Sequence, residues 1–133
     1  MTMAAKTCAE IYPDFEGGYG PCDYGPILES FGKILVRVDD DDYQGDSRVL
    51  YEDGDRVGFL KFGWGSCSGC DALQAAETIA EVDALIAELR GQIQWKARAE
   101  MREYFQSHDW EGDYDCHSNE TKSFVEQAIV ALS

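Results

Sequence analysis

The run Val57–Phe62, VGFLKF, constrains the fold more than any other stretch, because it has strand composition and carries apolar side chains in both alternating sets. It is bounded by Asp53-Gly54 before and Gly63-Trp64-Gly65 after, so it is short. Alternation sets Leu60, Phe62 and Trp64 on one face and Val57, Phe59 and Lys61 on the other. Such a strand must be central or covered on both sides. Asp53-Gly54 is the strongest hairpin signal in the chain, and a two-residue turn there predicts Glu52 opposite Asp55, Tyr51 opposite Arg56 and Leu50 opposite Val57. Within residues 27–38, Ile34, Val36 and Val38 alternate with Leu35 and Arg37 as a preceding strand. Residues 33–39, 48–52 and 55–62 therefore predict a three-stranded antiparallel meander.

The chain then changes period. Ser68-x-x-Asp71 and Thr78-x-x-Glu81 both have the form of a capping box, and they predict a short helix over 71–77 followed by a longer one. In the longer helix Ile79, Val82, Ile86, Leu89 and Ile93 step by three and four, with Leu85 widening the stripe. Lys96 to His108 and a final segment with Phe124, Val125, Ala128, Ile129 and Leu132 on one face add two more helices. The fold class expected is α+β, a meander packed against three to four C-terminal helices, in a single domain spanning 1–133. Residues 1–11 allow one further short helix, and 12–26, which hold all three prolines, predict an irregular loop that packs its tyrosines over the core.

Cys67 and Cys70, in the CSGC that joins the last strand to the first helix, are the tightest constellation in the sequence. A helix N-terminus stabilises a thiolate, and CxxC after an aromatic-rich strand resembles the thioredoxin placement. Trp64 is three residues before Cys67 instead of adjacent, however, and no proline follows Pro26 to face the thiols. A structural zinc site needs two further ligands, for which Cys116 and His117 are the nearest pair, with Cys8, Cys22 and His108 behind them. Adjacent Cys-His chelates poorly, so the plain alternative is two small half-buried residues in a tight turn. Asp40-x-Asp42-x-Gln44-Gly45 resembles the front of an EF-hand loop, but Tyr51 stands where a bidentate glutamate is required.

Charge decides the partner class. With 26 acidic against 11 basic residues the net charge is -15, which disfavours direct contact with nucleic acid or anionic membranes and favours cationic partners. Asp39, Asp40, Asp41 and Asp42 form one acidic run, and Asp109, Glu111, Asp113 and Asp115 form a second among aromatics. The odd cysteine count and the lack of a signal-peptide pattern point to a reducing cytoplasm. No Ser/His/Asp order, HExxH or phosphate-binding glycine loop is present, so the sequence gives an enzyme no support.

The stretch DDYQGDSRVLYEDGDRVGFLKFGWGSCSGCDALQA, residues 41–75, resembles a small family of unknown function encoded by bacteria and their phages. The resemblance implies a setting and no functional residues. In that setting the charge reads as an acidic protein-binding module, of the kind that mimics nucleic acid and occupies a basic groove of a host protein. The two acidic runs would then be the phosphate surrogates. The competing reading is a zinc- or thiol-dependent protein built on the CxxC, with no other cofactor expected.

Overall fold

The structure, a computed structural model, describes residues 6–18, 21, 23–40, 45–65, 71–110 and 118–133. Its elements are α1 (Cys8–Ile11), α2 (Gly25–Ser30), β1 (Lys33–Asp39), β2 (Gly45–Asp53), β3 (Arg56–Trp64), α3 (Ala72–Ala75), α4 (Ile79–Gln92), β4 (Gln94–Ala97), α5 (Arg98–Ser107) and α6 (Ser118–Leu132). The strands form one antiparallel sheet in the order β1-β2-β3-β4, so the expected meander gains a fourth strand. The class is α+β. Its helices cover both faces of the sheet and include two from the N-terminal part of the chain.

Interior position follows from the two apolar faces of β3. Leu60 and Phe62 join Val49, Tyr51, Val82 and Ile86 in the core under α1 to α4, while Val57 and Phe59 join Leu50, Met101, Phe105 and Phe124 in a second core under α5 and α6. Burial of large apolar side chains on both sides drives this layering.

Three local departures from expectation have physical causes. The hairpin turn is centred on Gly54-Asp55, with Gly54 at φ 64° and Asp53 paired with Arg56. The observed register replaces the like-charged Glu52/Asp55 pair with an oppositely charged one, and it keeps every side chain on its expected face. In β1 a bulge between Ile34 and Val36 breaks the register, so Ile34 packs into the first core and Val36 into the second. The stripe expected to share one face is therefore split. Finally, α2 begins at Gly25 inside the segment expected to be irregular. Pro26 sits in its first turn, where no intrahelical N–H is needed, and Asp23 Oδ1 accepts the Gly25 N–H at 2.8 Å.

β4 is held by a knob and a hole. Trp95 faces Gly58, where an added Cβ would lie 2.6 Å from Ile93 Cγ2 and 2.9 Å from Trp95 Cε3. Lys96 and Ala97 thus belong to this strand, and α5 starts two residues later than the sequence predicts. On α4, Val82, Ile86 and Leu89 are buried as expected, but Ile79 in the first turn is exposed. Thr78 caps that helix, its Oγ1 accepting the Glu81 N–H at 3.1 Å.

Candidate functional site

One end of the sheet collects the chemistry. The pairs Asp39↔Ser47 and Gly45↔Trp64 put the end of β1, the start of β2 and the end of β3 side by side. Arg98 links Glu52 (3.3 Å) and the Ala131 carbonyl (3.1 Å) at the opposite, hairpin end. α6 therefore finishes at the hairpin and begins toward the end that carries Trp64.

On the α4 side of that end lies a polar cleft of about 160 Å³, lined by Asp23, Arg37, Asp39, Trp64, Asp71 and Gln74 among others. A hydrogen-bonded chain crosses its floor: Trp64 Nε1 donates to Ser47 Oγ (2.8 Å), and Ser47 donates to Asp39 Oδ1 (2.6 Å). The same oxygen accepts Arg37 Nε at 3.1 Å. On the opposite wall Asp71 Oδ1 accepts the Tyr24 hydroxyl (3.0 Å) and the Gly65 N–H (2.9 Å), while its Oδ2 accepts the Gln74 N–H (3.0 Å). Asp71 is thus the N-cap of α3, a place the sequence reading gave to Ser68, which lies outside the described residues. Its carboxylate is committed to structure. The groups left to meet a ligand are the Arg37 guanidinium end, the second Asp39 oxygen and Asp23, which suit binding of charged groups more than proton transfer.

Burial, followed by the adjacent Asp71 carboxylate, raises the Tyr24 hydroxyl well above its ordinary value of 10.0. Burial does the same for Tyr51, whose hydroxyl donates to the Leu28 carbonyl at 2.8 Å. A proton held more tightly in the folded state than in the unfolded chain gives stability that is complete below pH 10.0 and declines as pH rises above it. Alkaline titration is expected to show these two phenols ionising together with cooperative unfolding, followed by tyrosinate absorbance and circular dichroism. Ionisation near the ordinary value in a chain that stays folded would contradict their placement.

The residues singled out in the sequence divide unevenly. Asp39 is part exposed and paired with Arg37 in the cleft. Asp40 points inward, buried, with Oδ1 2.7 Å from Arg48 Nη1. The buried Arg48 guanidinium, which needs a neutralising partner, and the Asp46 N–H, which needs an acceptor, draw it in. Asp109 is exposed just beyond α5. Asp41, Asp42, Cys67, Cys70, Glu111, Asp113, Asp115, Cys116 and His117 lie outside the described residues. Of the reserve ligands, Cys8 is buried on α1, and His108 packs its ring between Tyr104 (5.1 Å) and Trp110 (4.6 Å). Among the described residues no three metal-ligating side chains come together.

A further set of exposed acids went unread in the sequence. Cys8 N–H donates to Asp83 Oδ1 (2.6 Å) and Gly18 N–H to the Glu77 carbonyl (2.9 Å), which ties the N-terminal segment along α4. Exposed Glu10, Asp14 and Glu16 on that segment therefore share a layer with exposed Glu77, Glu81 and Glu88. The available signal was the seven-residue spacing of Glu81 and Glu88, which places them on one side of α4, with Glu77 just ahead of the Thr78 cap.

No family model, curated protein or solved structure matches the chain. Among the described residues no helix is long and apolar enough to cross a membrane.

Proposed function

We propose that the protein is an acidic binding module that docks a cationic surface of a partner protein, in the manner of an inhibitor that occupies a basic nucleic-acid groove. The observation that carries this reading is where the carboxylates lie: among the described acidic residues only Asp40 and Asp71 are buried. Among the described residues Lys33, Arg37, Arg48 and Arg98 pair with Glu52, Asp39 and Asp40. The other described carboxylates are part or fully exposed on a structured scaffold, which favours encounter with a basic patch and repels phosphate. The likeness of residues 41–75 to small bacterial and phage proteins supplies the setting.

The test is competition with a labelled DNA duplex for basic bacterial nucleoid proteins, repeated across ionic strength. Displacement is expected to weaken by at least about tenfold between low and physiological salt, because screening acts on every exposed pair. Substituting Glu77→Gln, Glu81→Gln and Glu88→Gln together should reproduce part of that loss at low salt. Failure to displace the duplex, or displacement indifferent to salt, would sink the reading.

A further inference from the structure

β3 outruns its neighbour. β4 pairs with Arg56 to Phe59, whereas β3 continues to Trp64, so among the described residues its last residues have a partner strand on one side only. The two-residue turn makes Asp53↔Arg56 the closing hydrogen-bonded pair, and from there the peptide groups alternate in direction. Those of Lys61 and Gly63 point away from β2, and both residues are exposed. The other outer strand is blunted by the bulge in β1, a usual defence of sheet edges, while the β2–β3 register runs unbroken to Trp64.

Beside this open edge is a groove of about 390 Å³ between β3 and α4, with Phe62, Leu85 and Leu89 as its apolar floor. Glu88 stands on its wall, while Asp46 and Lys61 border it with side chains that strand alternation sets on the α5 and α6 face. Gly63 carries no side chain on the opposite face of this edge, where a Cβ would meet Asp46 Oδ1 at 3.3 Å. Glycine in a strand marks a place where another backbone can come close.

We infer that this edge binds an extended segment of the partner protein as an added strand, collinear with β4. Main-chain hydrogen bonds to Lys61 and Gly63 give register, an apolar side chain enters the groove over Phe62 and Leu85, and basic residues on the two faces of the added strand meet Glu88 on the α4 side and Asp46 on the other. The inference rests on the reading of a cationic protein partner and adds where and in what conformation it binds. A second copy of this chain is a poor occupant, since each carries a net charge of -15.

The probe is a short synthetic peptide of alternating lysine and valine, titrated into isotope-labelled protein with amide exchange read residue by residue. The expected result is at least about tenfold slower exchange at Lys61 and Gly63 on binding, the protection that strand pairing gives. Asp46→Asn with Glu88→Gln should weaken the peptide, and Lys61→Pro, which removes one outward N–H at an edge position, should weaken it further. Binding without protection at these two amides overturns the edge inference and leaves the cationic-partner reading intact. So does an absence of peptide binding by protein that still displaces DNA from its basic partner. Loss of both peptide binding and displacement removes the two together. Protection that grows with protein concentration without peptide, accompanied by dimer in sedimentation, assigns the edge to self-pairing and overturns the inference.

Discussion

Asp40→Ala is expected to lower the unfolding free energy by about 3–5 kcal/mol, the cost of removing one partner from a buried ion pair. The side chains of Arg48 and Asp40 are only 2% and 0% exposed, and Arg48 Nε has no hydrogen-bond partner. Deleting the carboxylate leaves a guanidinium in a dry site where solvation cannot compensate. It also removes the acceptor for the Asp46 N–H, bound at 2.7 Å, at the point where β2 begins. Gly45 reinforces the argument, since a Cβ there would lie 2.6 Å from Asp40 Oδ2. Urea denaturation of Asp40→Ala, Arg48→Met and the double variant separates the terms. The double variant should recover much of the loss, because two apolar groups leave no uncompensated charge. A loss below about 1 kcal/mol for Asp40→Ala would mean that the pair is not desolvated in solution.

The same aspartate shows where the sequence stops speaking. Four adjacent acids read as a solvated turn, and only the arrival of Arg48 from the neighbouring strand turns Asp40 inward. Features set by local period were legible: the two faces of β3, the stripes of α4 and α6, and the Thr78 cap. Features set by distant partners were not. The bulge at Leu35 leaves the β1 composition unchanged, so the alternation of Ile34, Val36 and Val38 gave no warning of the split. β4 is four residues long and exists because Trp95 finds the hole at Gly58, far away in the chain. The cleft is assembled by Tyr24 meeting Asp71 and Trp64 meeting Ser47, contacts for which neither residue carries a local signature. Asp39 was singled out only as one of an acidic run, since nothing in the sequence joins it to Ser47 and Trp64.

Phe59→Ala is expected to cost about 3–5 kcal/mol, with its origin on the opposite face of the sheet from the proposed binding groove. Its ring lies 5.3 Å from Phe105, 5.5 Å from Phe124 in a stacked arrangement and 6.3 Å from Trp110, so one side chain joins β3 to α5 and α6 together. Truncation removes the shared surface of three aromatics, and helices anchored by whole turns cannot collapse fully onto the void. Pairing the change with Phe124→Ala should give less than the sum of the single effects, because both empty one cavity; pairing it with Val82→Ala, across the sheet, should be additive. Strict additivity in the first pair would argue that the two rings do not share a cavity. The groove, the cleft and the acids of α4 belong to the other layer. The folded fraction of Phe59→Ala should therefore keep its salt-dependent displacement of DNA while its denaturation midpoint falls. A parallel loss of displacement would mean that α5 and α6 take part in binding, and would move the proposed interface to their side of the sheet.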